Sequence, residues 1–96
     1  MYVVASKWES LPDKFDEFEE AGRKMMALIR SWPEVEFFHN VMVGPESVLA
    51  IIGYHSQADY ERLVSDPVGP FAKAAEETGI EAISHWLWSE RGETLD

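Results

Sequence analysis

The strongest constraint on the fold is that the central strands predicted from the sequence are apolar on both faces. Residues 35–43 (VEFFHNVMV) and 48–55 (VLAIIGYH) read as strands joined by the turn-forming residues 44–47 (GPES). Successive strand side chains point to opposite faces, and both alternate sets contain large apolar residues. A four-residue turn places Val43 opposite Val48. One face of this hairpin is then predicted to carry Phe37, His39, Val41, Val43, Val48, Ala50, Ile52 and Tyr54.

The chain on either side of this hairpin predicts a first helix and two further strands. Residues 2–9 and 80–89 are short and rich in β-branched, aromatic or other large apolar residues, which is typical of strands. Ser10 followed by Asp13 indicates a capping box ahead of an amphipathic helix. This helix is expected to end before Pro33, because the residue preceding a proline avoids helical torsions.

A second, interrupted helix is predicted after the hairpin. Ser56 is a suitable N-cap, residues 66–70 (DPVGP) break the helical pattern, and Gly79 ends it. The tail from Glu90 is expected to fray. The resulting order predicts an α+β, ferredoxin-like βαββαβ fold with a four-stranded antiparallel sheet, in a single domain that covers residues 1–96.

Two helices can cover only one face of such a sheet. Each large apolar side chain left in water forgoes about 1.5–3 kcal/mol of stabilisation. The most economical cover for the second face is another copy of the same chain, paired about a two-fold axis. The sequence therefore predicts a homodimer.

Composition and charge argue against several classes of function. The chain has 8 basic and 18 acidic residues and a net charge of −10, which disfavours binding to nucleic acid. It contains no cysteine, and its histidines lack metal-ligand spacing, so we predict no metal site. No apolar run approaches the roughly 20 residues of a membrane span. The first residues lack the features of a signal peptide, so we expect a cytoplasmic protein with no membrane partner.

Three segments resemble a known family. Residues 54–60 (YHSQADY), 63–67 (LVSDP) and 71–75 (FAKAA) are similar to the end of the third strand and the broken second helix of the antibiotic-biosynthesis-monooxygenase-like family, within the dimeric α/β barrel superfamily. The resemblance implies a barrel made of two sheets from two subunits. It also implies an activity related to cofactor-independent monooxygenases that oxidise polycyclic phenols to quinones.

Haem-degrading members of this family use an Asn on the first strand and a Trp and a His on the second helix. This chain has other residues at the matching positions. Matching the motifs places Ser6, Leu63 and Ala75 or Glu76 at those positions. A haem site therefore has no support, and we predict no cofactor.

The resemblance also suggests which residues form the site. In many relatives a Trp closes the third strand, and Tyr54 stands in its place, which implies a side chain inside the barrel. By alternation His39 shares that face, and its imidazole suits acid–base chemistry near neutral pH, so His39 and Tyr54 are the predicted catalytic pair. Asn40 is a predicted hydrogen-bond donor. Because strand side chains alternate, its position places it on the helix side of the sheet. The full set of predicted substrate-binding residues is Ser6, Trp8, Phe37, Asn40, Ile52 and Trp86.

Two readings of these residues remain open from the sequence. The aromatic residues could stack against a flat aromatic ligand, or they could fill a dry dimer interface. His39 could equally be a core histidine bonded to a neighbour. The alternative to a monooxygenase is therefore a non-catalytic ligand-binding or structural homodimer.

Overall fold

The computed structural model describes residues 1–96, in which strands and helices follow one another in the predicted order. The strands form one antiparallel sheet in the order β2-β3-β1-β4, which confirms the predicted α+β ferredoxin-like fold. The elements are β1 (Tyr2–Ser10), α1 (Phe15–Arg30), β2 (Val35–Met42), β3 (Ser47–Tyr54), α2 (Gln57–Tyr60), α3 (Pro70–Thr78) and β4 (Ser84–Glu93).

Helix α1 is amphipathic and packs on the sheet through one face. Its buried residues are spaced three or four apart, as the helical period requires; they are Phe18, Ala21, Met25 and Ile29. The acidic residues Asp16 and Glu17 lie in its first turn and Arg30 in its last, where each charge interacts favourably with the helix dipole.

The predicted capping box at the start of α1 is wrong. Ser10 remains in β1 opposite Ser84, its side chain is buried, and its hydroxyl has no hydrogen-bond partner. Its backbone N–H donates to the carbonyl of Glu46. The chain then turns through Asp13, which has a positive φ of 62°, before the helix begins at Phe15. Sheet pairing of Ser10 therefore prevails over the local capping pattern.

The interrupted second helix is confirmed. The Ser56 hydroxyl accepts a hydrogen bond of 3.1 Å from the backbone N–H of Asp59. Helix α2 continues into a π-helical turn, Glu61–Ser65, and α3 begins with Pro70 in its first turn. Gly79 ends α3 with φ of 70°, a left-handed conformation that glycine adopts without steric cost.

The β2–β3 register differs by one residue from the prediction. Met42, instead of Val43, lies opposite Val48. A bulge between Val35 and Phe37 adjusts the other end of the pair. Phe37 then lies against Gly53, where an added Cβ would collide with the Phe37 ring. Because side chains alternate, this one-residue shift moves the β2 side chains from Phe37 to Met42 to the opposite face from the one predicted.

The last strand also lies further along the chain than predicted. Residues Ile80–Ala82 form a 3-10 turn, and β4 runs to Glu93. Residues 90–94 of the tail are paired instead of frayed, because β4 pairs with β1 up to Glu93 and the backbone N–H of Thr94 donates to the carbonyl of Met1 at 2.9 Å. Only the last two residues, 95–96, lie beyond these contacts.

The helices cover one face of the sheet, which we call the inner face, and leave the other, the outer face, uncovered. A bulge in the β1–β4 pair places Trp86 beside Trp8 on the inner face, while Trp88 lies beside Lys7 on the outer face. Both Trp86 and Trp88 are partly exposed, at 57% and 44%. The sheet therefore separates two distinct apolar surfaces. None of the helices combines the length and apolarity needed to cross a membrane.

Candidate functional site

A cavity of about 600 Å³ lies between the inner face and the helices. This volume falls within the usual range for small-molecule sites, roughly 300–1,000 Å³. Of its 26 lining residues 18 are hydrophobic, so the cavity suits a largely apolar ligand. Helix α1 forms much of one wall through Phe18, Gly22, Met25, Met26 and Ile29.

The sheet register arranges the cavity floor in rows that cross the strands. One row, which we call the polar row, is Ser89, Ser6, Ala50 and Asn40 on β4, β1, β3 and β2. Neighbouring strands are about 4.8 Å apart, so Ser6 and Asn40 lie about 10 Å apart. The small Ala50 between them leaves space above the floor. The polar row thus places hydrogen-bonding groups along a line in an otherwise apolar site.

The next row provides aromatic walls. It consists of Trp86, Trp8, Val48 and Met42, and we call it the tryptophan row. Both indoles line the cavity. Indole rings offer flat apolar surfaces together with one N–H donor each. The tryptophan row beside the polar row suits a flat ligand with oxygen substituents along one edge.

Tyr54 lies in a cluster of three tyrosines at the other end of the cavity. Its ring is 5.4 Å from that of Tyr60, which is 5.3 Å from that of Tyr2. Burial, and secondarily the neighbouring Tyr60, raises the pKa of the Tyr54 phenol. Tyr54 is therefore a neutral phenol at physiological pH. It can donate a hydrogen bond to a ligand oxygen, but it is not available as an anionic base.

Four charged residues line the cavity. Arg23 is paired with Glu19 at 2.8 Å. Glu81, from the 3-10 turn, also lines the cavity and forms no ion pair within the chain. Arg91 lies above the Tyr60 ring, 5.7 Å from its centroid. No histidine lines the cavity, and the fold brings together no group of three potential metal ligands.

The structure brings together six of the eight predicted site residues. Those lining the cavity are Ser6, Trp8, Asn40, Ile52, Tyr54 and Trp86. Phe37 and His39 lie on the outer face instead, with their rings stacked 5.4 Å apart. The prediction that His39 and Tyr54 meet one ligand is therefore wrong, because the sheet lies between them. The cause is the one-residue shift of register in the hairpin.

Among the cavity residues that were not predicted from the sequence are Gly22, Tyr60 and Arg91. Gly22 interrupts an amphipathic helix, and a glycine there costs about 1 kcal/mol relative to alanine, which is a signal for a packing or functional role. Tyr60 lies in the segment used for the family resemblance, but no pattern indicates its ring contacts. Arg91 lies in the tail that was expected to fray, so nothing in the sequence placed it in a site.

Comparison with known proteins gives matches in structure only. No protein-family profile and no curated protein matches the sequence. A solved structure of an antibiotic biosynthesis monooxygenase is similar to the whole chain, with a TM-score of 0.79, 13% identity and complete coverage of both chains. SnoaB, a cofactor-independent oxygenase from Streptomyces nogalater, is similar with a TM-score of 0.76 and 15% identity, covering 99% of this chain and 94% of its own.

Likenesses at this level of identity concern the fold. They agree with the resemblance of residues 54–60, 63–67 and 71–75 to the same group of proteins. This chain has the α+β fold of the antibiotic biosynthesis monooxygenases.

Proposed function

We propose that this chain is a cofactor-independent monooxygenase that oxidises an aromatic or polycyclic phenolic compound. The observation that carries the proposal is the cavity of about 600 Å³ with its tryptophan row beside its polar row. The fold shared with SnoaB supports the same activity. The site lies between the sheet and the helices of one chain, not on the outer face where His39 lies.

Each group in the cavity has a role in this proposal. Trp8 and Trp86 stack against the ligand, and Ser6 and Asn40 bind its oxygen substituents. Tyr54 donates a hydrogen bond to the oxygen on which negative charge develops when the substrate loses a proton. A donor aimed at that oxygen favours the anion, because it stabilises the negative charge where that charge develops.

The proton acceptor in this proposal is a carboxylate of the cavity wall. Glu19 is already held by Arg23 at 2.8 Å, whereas Glu81 has no such partner. We assign the acceptor role to Glu81. The electron-rich substrate anion then reduces molecular oxygen. For anthrone, one oxygen atom becomes the second quinone carbonyl, and the other leaves as water with the two hydrogens of the oxidised carbon.

Oxygen uptake with anthrone tests this proposal. We expect uptake by the wild-type protein and a loss of at least about tenfold in kcat for Tyr54→Phe, because removing a comparable donor costs about 100- to 1,000-fold in well-characterised sites. His39→Ala is the matched control and is expected to keep full activity, since its side chain lies on the outer face.

Two other results would change the assignment. Loss of activity in His39→Ala, with Tyr54→Phe unaffected, would move the site to the outer face. Binding of anthraquinone without any oxygen uptake would leave the non-catalytic ligand-binding protein as the function.

We also propose that a second copy of the chain covers the outer face. The outer face is mostly apolar, and by alternation its carboxylates are Glu9 at the end of β1 and Glu90 on β4 beside Ala5. Two copies with a net charge of −10 can therefore pair through the apolar part of β1, β2 and β3 while these carboxylates stay at the margin. The residues concerned are Val3, Ala5, Lys7, Phe37, His39, Val41, Leu49, Ile51 and Gly53.

Sedimentation at micromolar concentration tests the dimer. We expect the wild-type protein to sediment as a dimer and Ile51→Asp to sediment as a folded monomer, because pairing would bury an aspartate near the centre of the outer face. Val68→Asp, at a position 72% exposed on the loop before α3, is the control and is expected to remain dimeric. A wild-type protein that is folded and monomeric contradicts the proposal.

A further inference from the structure

Arg91 is exposed to solvent and also lines the cavity, where its guanidinium lies near one aromatic ring and one hydroxyl. It lies on the inner face of β4 opposite Val4. Its guanidinium carbon is 5.7 Å from the centre of the Tyr60 ring, and its Nη1 atom is 3.3 Å from the hydroxyl oxygen of Ser89. Tyr60 is packed between Tyr2 and Tyr54, so the ring beneath the guanidinium is itself supported by buried side chains.

Arg91 differs from the other arginines because it has no anionic or carbonyl partner. Arg23 pairs with Glu19, and Arg62 pairs with Glu34 and Asp59. Arg30 donates to the backbone carbonyl of Phe38. In a chain with 18 acidic residues, the guanidinium of Arg91 forms no ion pair and faces the cavity.

The unpaired guanidinium of Arg91 matters because the chain as a whole is strongly negative. A net charge of −10 repels an anionic ligand, so a site that accepts one needs a local cation to offset that field. A guanidinium presents its N–H groups in a planar fork that matches the two oxygens of a carboxylate. Ser89, the β4 member of the polar row, adds a hydroxyl beside it.

We infer that Arg91 and Ser89 form a subsite for a carboxylate, and that the ligand of this cavity is an aromatic compound carrying one. The aromatic body lies along the tryptophan row and the carboxylate accepts hydrogen bonds from the Arg91 guanidinium and the Ser89 hydroxyl. This inference rests on the proposed function in one respect, namely that the cavity binds an aromatic ligand. The inference adds that the ligand carries a carboxylate, which Arg91 and Ser89 recognise.

Binding of two matched probes tests the subsite. Anthraquinone-2-carboxylate and its neutral carboxamide have nearly the same shape, and quenching of the cavity tryptophans, Trp8 and Trp86, reports their binding. We expect the wild-type protein to bind the carboxylate about tenfold or more tightly than the carboxamide, as a charged hydrogen-bonded pair provides. Arg91→Gln is expected to remove this preference and to retain affinity for the carboxamide.

Lys73→Gln is the matched control. It removes one positive charge from an exposed position of α3 that does not line the cavity, so the preference is expected to remain. Equal affinity of the wild-type protein for the two probes, failure of both to bind, or a preference that persists in Arg91→Gln would each overturn the subsite. A different result would contradict the proposed oxygenase activity. In that case the wild-type protein prefers the carboxylate probe over the carboxamide but consumes no oxygen.

Discussion

Gly22→Leu is expected to abolish ligand binding in the cavity while leaving the fold intact. Gly22 lies in α1 and lines the cavity, and the nearest atom that a Cβ there would meet is the side-chain nitrogen of Asn40, at 3.9 Å. A larger side chain therefore projects into the space between Gly22 and the polar row. One extra methylene in a hydrophobic pocket costs about 10- to 200-fold in selectivity, so we expect a leucine to weaken binding of anthraquinone-2-carboxylate by at least about 100-fold.

Gly22→Ala is the control for this experiment. The methyl group makes an ordinary van der Waals contact with Asn40, so most of the affinity is expected to remain. Replacing glycine by alanine inside a helix is also expected to raise the free energy of unfolding by up to about 1 kcal/mol. If Gly22→Leu bound the probe as tightly as the wild-type protein, the ligand would have to lie outside this cavity. Fluorescence titration and urea denaturation measure the two effects separately.

Ile29→Ala is expected to cause the largest loss of stability of any substitution considered for this chain. Ile29 is 0% exposed and lies on the buried face of α1, two turns after Gly22. Truncating a buried isoleucine removes apolar contacts and leaves a void, at a cost of about 2–5 kcal/mol. Because single domains are typically stable by only about 5–15 kcal/mol, a large fraction of the protein is expected to unfold at moderate urea concentrations.

Leu95→Ala provides the comparison for Ile29→Ala. The Leu95 side chain is fully exposed beyond β4, so its truncation is expected to change the free energy of unfolding by less than about 0.5 kcal/mol. Similar urea midpoints for the two variants would show that the packing of α1 on the sheet does not carry the stability assigned to it. Together with Gly22→Leu, this pair separates the effect of lost packing on stability from the effect of a filled cavity on binding.

The order of elements could be derived from local patterns because those patterns act over a few residues. The spacing of Phe18, Met25 and Ile29 predicts a helix, and Ser56 and Gly79 mark helix ends that the structure contains. Each signal depends on the backbone hydrogen bonds and torsions of its immediate neighbours. Ser10 is the exception, because its pairing with Ser84, distant in sequence, competes with capping and prevails.

The candidate site could be predicted only in part, because a strand pattern identifies two faces without showing which one the helices cover. Ser6 and Trp8 share the face of Tyr54, but that face lies on the helix side and not on the barrel side that the family resemblance implies for Tyr54. His39 was added to that group through a register that the hairpin does not have.

The amino-acid sequence by itself determined the fold class, the antiparallel order of elements and the presence of two apolar sheet faces, since alternation and helical period are properties of short segments. Tertiary structure alone decided which face became the cavity floor and where Arg91 lies within it. The reason is geometric: a one-residue change in strand pairing costs few local interactions but reverses the direction of every side chain on that strand. Packing of Phe37 against Gly53, with Phe38 buried beneath α1, selects one of the two arrangements.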